Sequence, residues 1–172
     1  MLPHEGSTKG FQTRVRPALA SDADAMWRIF QAVVASGDTY LFAPETSRAV
    51  AVEYFIGAGI SSWVAEIQGE VTGMYKLIPN QRDRGSHVAN ASFMVDPAAQ
   101  GSGVGRAMGE HCLAQAKQAG YAAMQFNFVV STNRAAVELW SKLGFSIVGT
   151  LPKAFNHAQL GLVDAFVMHR FL

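Results

Sequence analysis

The chain has 172 residues, 49% of them hydrophobic and 16% charged, which is a globular composition and excludes the intrinsically disordered class. Its 14 basic and 13 acidic side chains leave a net charge of +1, without the excess of positive charge that marks nucleic-acid-binding proteins. These numbers favour a small substrate over a nucleic-acid partner.

The length fits one domain, which we place at residues 13–172 behind a flexible N-terminal tail at residues 1–12. No apolar run has the length of a membrane span, and the first residues lack the apolar segment of a signal peptide. We therefore expect a cytoplasmic protein with no membrane partner. Cys112 is the sole cysteine, so we predict no disulfide and no metal site, and we interpret Cys112 as a buried small hydrophobe rather than a nucleophile.

Apolar residues at intervals of three and four predict the helices, and short apolar runs bounded by Gly or Pro predict the strands. In chain order we predict a strand at 13–17, a helix at 21–36 capped by Ser21, a helix at 47–58, strands at 61–67 and 71–78 joined by a hairpin turn, an exposed loop at 79–86, a strand at 87–95, a helix at 103–119, a strand at 121–130, a helix at 133–143, and strands at 145–150 and 162–171. This order predicts an α/β fold with a mixed sheet covered by helices on both faces.

The turn between the strand at 87–95 and the helix at 103–119 consists of small residues and includes Gly101, Gly103 and Gly105. The start of a helix presents unpaired N–H groups at the positive end of its dipole, and glycines let phosphate oxygens approach the backbone. The turn therefore predicts a pyrophosphate site, with an ordinary glycine-rich helix start as the alternative. A Walker loop is excluded because Arg106, not lysine, follows Gly105, and a dinucleotide fingerprint is excluded because no third glycine has the required spacing.

The pattern Gln-x-x-Gly-x-Gly at residues 100–105 resembles the coenzyme motif of the GNAT superfamily. The segment RVRPALASDADAM resembles the family's first strand and helix, and NRAAVELWSKLGF resembles its second characteristic block. The resemblance implies the GNAT fold, in which the two middle strands splay apart, and an N-acetyltransferase that uses acetyl-CoA as co-substrate. It also implies a small-molecule amine as acceptor and a homodimer.

The same resemblance assigns the coenzyme-binding residues. They are Phe93, Met94 and Val95 through their backbones, Gln100, Gly101, Ser102, Gly103, Val104, Gly105 and Arg106 in the turn, and Asn133 at the start of the second block.

Trp140 marks a departure from the family pattern. Many members carry at this position a tyrosine that protonates the departing thiolate, whereas an indole N–H donates hydrogen bonds but is no proton source at neutral pH. We therefore interpret Trp140 as a core aromatic residue, and the sequence leaves the proton donor to the thiolate unassigned.

Asn90 and Asn127 lie in the middle of otherwise apolar strands. A buried amide needs partners, so each asparagine either bridges neighbouring strands or faces the cleft. The segments SHVANASFMVD, MQFNFVVSTN and SGDTY resemble the GNAT subgroup that acetylates proline analogues such as azetidine-2-carboxylate. That resemblance implies catalytic roles for Asn127 and Asn90, with Asn90 also binding substrate.

Asp38 and Tyr40 lie between the first two helices, at the lip of the acceptor pocket in the family, and we predict that they bind substrate. A turn aspartate and a packed aromatic residue are the alternatives. His87, His157 and Glu66 are candidate general bases. Two other functions stay open: a sensor that binds acyl-CoA without turnover, and an acetyltransferase acting on proteins or peptides.

Overall fold

The structure is a computed structural model that describes residues 12–172, so nearly all of the predicted tail lies outside the described residues. Its elements are β1 (Arg14–Pro17), α1 (Ala23–Ala35), α2 (Arg48–Ile56), β2 (Ser61–Ile67), β3 (Glu70–Pro79), β4 (Val88–Val95), α3 (Val104–Gln118), β5 (Ala123–Val130), α4 (Arg134–Lys142), β6 (Ser146–His157) and β7 (Gly161–Phe171). The strands form one seven-stranded sheet in the order β1-β2-β3-β4-β5-β7-β6. Only the central pair β4 and β5 is parallel among the pairs of this sheet.

Two sequence predictions about element ends are wrong. Ser21 does not cap α1, because a short 3-10 turn at Ala20–Asp22 precedes the helix and Asp22 stands at its N-cap position. The Asp22 carboxylate instead accepts from the backbone N–H of Leu19 at 2.8 Å and pairs with Arg16 at 2.7 Å. The Asp22 carboxylate is therefore occupied by Arg16 and Leu19, and it makes no capping hydrogen bond to α1.

The second error concerns β6, which was predicted to end at residue 150 but runs to His157. Pro152 interrupts the sequence pattern, yet β6 is an edge strand and its pairing with β7 shifts register between Leu151 and Phe155. A proline is compatible with an edge strand at such an irregularity, because no ladder hydrogen bond is lost there.

Helices cover both faces of the sheet, as predicted. On one face α1 and α2 pack on the sheet through residues such as Phe30, Phe55 and Met74. On the other face α3 and α4 pack through residues such as Met108, Cys112 and Trp140. Cys112 is fully buried, and burial raises the pKa of its thiol, so the thiolate that a nucleophile requires is disfavoured.

The two middle strands separate soon after they begin. The parallel pairing of β4 with β5 is limited to Val88 with Ala123 and Ala89 with Met124. On its other side β5 shifts register against β7 between Phe126 and Val129. The predicted splay is therefore present, and we call the space between the strands beyond Ala89 the β4–β5 gap. No helix within residues 12–172 has the length and apolar character needed to cross a bilayer.

Candidate active site

A cavity of about 360 Å³ occupies the β4–β5 gap and extends toward the segment between α1 and α2. Its walls are mostly aromatic and amide side chains, and no charged side chain of the described residues lines it. The lining residues are Thr39, Tyr40, Leu41, Phe42, Tyr54, Asn90, Ala91, Ser92, Phe93, Phe126, Asn127, Phe128, Val129, Val130, Asn133, Ala136 and Trp140. Such a lining suits an apolar arm and a small polar reactant.

The backbone of β4 offers hydrogen-bond donors to this gap. Asn80 N–H donates to the Val88 carbonyl and Asp96 N–H donates to the Thr72 carbonyl, so even-numbered residues of β4 direct their backbone groups to β3. The odd-numbered residues therefore direct theirs toward β5. Because the pairing with β5 ends at Ala89, the backbone groups of the odd-numbered residues 91, 93 and 95 face the gap.

This alternation distinguishes among Phe93, Met94 and Val95, the three residues predicted to bind the coenzyme through their backbones. Phe93 and Val95 have N–H groups directed into the gap, as a coenzyme-binding role requires. Met94 is even-numbered, like Val88 and Asp96, so by the same alternation its N–H is directed toward β3. Backbone contact of Phe93, Met94 and Val95 with the coenzyme stays a prediction, and the alternation of β4 favours Phe93 and Val95 as the donors.

Tyr40, in the segment between α1 and α2, forms part of the cavity wall. Its hydroxyl donates to the Phe93 carbonyl at 2.5 Å, and burial raises the pKa of the phenol well above its usual value. Tyr40 therefore keeps its proton and holds the segment between α1 and α2 against β4. It lies at the cavity wall as predicted, while its contact with substrate stays a prediction.

The glycine-rich turn leads into α3 with two residues in the left-handed region, Gly101 at φ 79° and Gly103 at φ 86°. The first intrahelical hydrogen bond runs from Ala107 N–H to the Gly103 carbonyl at 3.0 Å, and no side chain caps this helix. The N–H groups of residues 104–106 consequently have no intrahelical acceptor and point out of the helix. This end of α3 is built to receive an anion.

Gly105 differs in its surroundings from the other two glycines of the turn. A Cβ at this position would lie 3.4 Å from a methyl group of Leu139 and 3.8 Å from one of Val95, at ordinary van der Waals distances, so Gly105 faces protein rather than open space. Around Gly101 and Gly103, by contrast, a Cβ would meet no protein atom within 4 Å. Those two glycines supply the backbone conformation and leave open space in front of the turn.

Two further predicted coenzyme residues have structural partners. Asn133 is the N-cap of α4, where its side-chain oxygen accepts from Ala136 N–H at 3.2 Å, and it also lines the cavity. Arg106 is exposed and pairs with Glu110 at 2.8 Å. Coenzyme contact by these residues stays a prediction.

The two strand asparagines have different surroundings. Asn90 donates its side-chain N–H to the Gln125 carbonyl at 2.9 Å, which bridges β4 and β5 where the ladder stops. Asn127 is exposed rather than buried, donates to the side-chain oxygen of Asn80 at 2.6 Å and accepts from the side-chain N–H of Gln125 at 2.8 Å. Both asparagines line the cavity. Asn90 therefore bridges the two strands and also faces the cleft, so its two alternative interpretations are compatible.

Sequence reasoning missed Asn80 and Gln125, the two partners of Asn127. A signal for Gln125 was present, because residues two apart on a strand share a face. Asn80 follows Pro79 at the end of β3, and its approach to β5 depends on the path of the chain after that strand.

The remaining candidates lie outside the cavity. The Asp38 carboxylate accepts from the Ser36 hydroxyl, and Asp38 is not among the described residues that line the cavity. Its contact with substrate stays a prediction. Glu66 pairs with Arg16 at 2.6 Å on β2, two strands away from the gap. Its carboxylate is thus engaged at the sheet edge and is unsuited to act as the general base.

The two histidines are also poorly placed as bases. His87 has its Nδ1 3.1 Å from the Arg84 carbonyl in the loop before β4. His157 Nδ1 accepts from the N–H groups of Gln159 and Leu160 at 3.1 and 3.3 Å. Its acceptor nitrogen is therefore already occupied by the hairpin between β6 and β7.

Trp140 fills the floor of the gap. Its ring lies 4.7 Å from the ring of Phe93 on β4 and 4.7 Å from that of Phe126 on β5, measured between centroids, and it is 7% exposed. The interpretation of Trp140 as a core aromatic residue is confirmed. The Trp140 ring therefore contacts both strands in the region where their backbones no longer pair.

Residues 24–145 match the family model of the acetyltransferase (GNAT) family. This chain is a GNAT family member. The family membership and the seven-stranded mixed sheet confirm the fold and the acyltransferase class that the sequence predicted.

Several known proteins resemble this GNAT chain. A GCN5-related N-acetyltransferase from Kribbella flavida is 41% identical with a TM-score of 0.90, covering 93% of this chain and 98% of that one. The structure of yncA from Salmonella typhimurium with its cofactor acetyl-CoA has a TM-score of 0.82 at 23% identity, covers 94% of each chain, and shows a shared fold. N-acetyltransferase aca1 of Schizosaccharomyces pombe is 32% identical over 96 residues, and the match spans 55% of this chain but 46% of that protein.

One ionisable residue beside the GNAT cavity was not singled out from the sequence. Lys76 on β3 is only 5% exposed, and its Nζ lies 3.1 Å from the centroid of the Tyr54 ring. Burial lowers the pKa of Lys76 from 10.5 to about 8. The apolar residues Met74 and Ile78 on the same face were the available signal that this lysine is buried.

Replacing Lys76 with methionine is expected to stabilise the folded protein at pH 7 by about 1–2 kcal/mol. The folded pKa lies below the unfolded one, so the charged ammonium disfavours folding until it loses its proton, and the ring of Tyr54 offsets part of that cost. The gain should shrink as the pH rises from about 8 toward 10.5, where the wild type folds with a neutral lysine. Urea unfolding of both proteins between pH 7 and 10 measures it, and a gain that does not change with pH would contradict the argument.

Proposed function

We propose that this chain is an N-acetyltransferase that transfers the acetyl group of acetyl-CoA to the amine of a small molecule, an amino acid or an amino-acid analogue. The observation that carries the proposal is the β4–β5 gap, in which backbone donors of β4 face a cavity of about 360 Å³. A sheet that opens between its central strands gives up backbone hydrogen bonds, and a ligand that accepts from the freed groups restores them.

The residues fit acetyl-CoA at two places. The free N–H groups of residues 104–106 at the start of α3 are donors for its pyrophosphate, which the helix dipole also favours. The N–H groups of Phe93 and Val95 are donors for the amide-bearing arm in the gap. When bound, acetyl-CoA supplies the activated acetyl group, and this chain holds the thioester beside the cavity.

On the acceptor side Asn127 is the group that we propose to act on the reacting atoms. Its side-chain nitrogen has two hydrogens, and only one is used by Asn80. The other can donate to the oxygen that gains negative charge when the amine attacks the carbonyl carbon. An amide is no general base, and among the described residues no ionisable acid or base other than tyrosine lines the cavity, so we assign removal of the amine proton to water. As the tetrahedral intermediate collapses, the C–S bond breaks and coenzyme A leaves as the thiol, with water returning the proton to its sulfur.

The narrower parts of the proposal rest on the sequence resemblance. We propose a proline analogue such as azetidine-2-carboxylate as the acceptor, and a cavity of this size is compatible with a small cyclic amino acid. A homodimer and a cytoplasmic location complete the proposal and stay predictions.

A thiol-release assay with acetyl-CoA against a panel of amino acids, polyamines and short peptides tests the proposal. We expect release with at least one amino acid and little with polyamines, because none of the described residues brings an acidic side chain to the cavity to receive a second ammonium group. Coenzyme binding by calorimetry without release for any amine would instead identify a sensor. Release with peptides alone would identify a protein or peptide acetyltransferase.

A further inference from the structure

Lys76 is a buried charge that the mechanism above does not use. Within residues 12–172 it takes part in no ion pair with a carboxylate, although the other buried charged residue, Asp22, is paired with Arg16. A buried ammonium is unfavourable without a counter-charge, and an aromatic ring compensates only part of the lost hydration. An anion that arrives with a ligand would supply the counter-charge that Lys76 lacks among these residues.

Lys76 lies next to the part of the cavity wall formed by Tyr54 and Ser92. Lys76 stands opposite Ser92 in the ladder between β3 and β4, and its ammonium lies on the face of the Tyr54 ring. Tyr54 and Ser92 both line the cavity, and their hydroxyl oxygens are 2.8 Å apart. The ammonium therefore contacts one side chain of the cavity wall, although Lys76 itself is not among the described lining residues.

The hydroxyl pair is suited to receive an anion. In the hydrogen bond between Tyr54 and Ser92 one hydroxyl uses its proton and the other keeps a proton to donate. Burial raises the pKa of Tyr54, which keeps the phenol protonated. A carboxylate that accepts this hydrogen bond would have the ammonium behind the ring as its counter-charge, in surroundings of low polarity where such attraction is strong.

We propose that Lys76 is a specificity-determining residue that selects acceptor amines carrying a carboxylate. The proposal rests on the function proposed above and names the group that selects its substrate class, which is amines carrying a carboxylate. Lys76 acts through the Tyr54–Ser92 pair and has no part in the transfer of the acetyl group.

The test compares L-proline with L-prolinamide, in which an uncharged carboxamide replaces the carboxylate, together with the best amino acid of the panel and its carboxamide, and each comparison is made as a ratio between wild type and variant so that the different basicities of the amines cancel. For each, kcat/KM and the dissociation constant from calorimetry are measured in wild type, Lys76→Met and Lys76→Gln. Lys117→Met on the exposed face of α3 is the matched control, and circular dichroism verifies that each variant is folded. We expect wild type to prefer the carboxylate, and both Lys76 variants to lose that preference about tenfold or more while retaining carboxamide turnover and coenzyme binding.

The outcomes separate the two proposals. Turnover with an unchanged carboxylate preference in the folded Lys76 variants, or a wild type that prefers the carboxamide, overturns the role of Lys76 and leaves the acetyltransferase in place. Carboxylate binding that depends on Lys76 without any turnover upholds this site and overturns the enzymatic function. If neither turnover nor binding that depends on Lys76 is found, both proposals are wrong.

Discussion

Replacing Gly103 with valine is expected to weaken acetyl-CoA binding about a hundredfold while the protein remains folded. Gly103 has φ 86°, a conformation that a β-branched residue adopts only with strain, and the turn would relax by moving the free N–H groups that follow it. Loss of one or two hydrogen bonds to a charged phosphate accounts for an effect of this size. Calorimetric titration with coenzyme A measures the change in the dissociation constant.

Gly120 provides a matched control at the other end of the same helix. It has φ 85°, and a Cβ there, as at Gly103, would meet no protein atom within 4 Å. Gly120→Val should therefore cost a similar free energy of unfolding, about 1–2 kcal/mol, and leave coenzyme binding unchanged. Equal binding by the two variants would show that the turn before α3 does not hold the pyrophosphate.

Local signals in the sequence were enough to predict the strand, turn and helix around the glycine-rich segment. A strand, a turn of small residues and a helix start follow one another within residues 88–107, and their geometry depends mainly on neighbours in the chain. The splay of β4 and β5 came from the family resemblance. No periodicity in the sequence distinguishes a strand that pairs along its length from one that stops pairing after two residues, as β4 does.

The acceptor side was harder to predict because it depends on contacts between distant segments. Asn127 meets Asn80 across 47 positions of sequence, and the register of β5 shifts just beside it. Asp38 and Tyr40 are two residues apart in one loop, yet Tyr40 reaches the Phe93 carbonyl and lines the cavity whereas Asp38 bonds to Ser36. Sequence proximity to a pocket therefore did not decide which of the two faces it.

Replacing Asn127 with alanine is expected to lower kcat by about 10²–10³-fold with little change in coenzyme binding. The variant removes a donor that we place at the developing negative charge of the tetrahedral intermediate, and losses of this size are typical for such a donor. Asn127 is exposed and its neighbours Asn80 and Gln125 can bond to water after the change, so the fold should be unaffected. Single-turnover kinetics with the acceptor identified by the panel, alongside calorimetry with coenzyme A, separates the chemical step from binding.

Asn156→Ala on the exposed edge strand β6 is the matched control, since it removes the same amide from a residue that is not among the described residues lining the cavity. Its kcat should equal that of wild type. If Asn127→Ala keeps wild-type turnover, the amide is no part of the reacting centre, and the asparagine joins Asn90 as a bridge that holds polar side chains across the opened strands. If kcat and the affinity for coenzyme A fall by the same factor, Asn127 binds the coenzyme arm instead. A loss confined to kcat is the result that places Asn127 at the acetyl carbonyl.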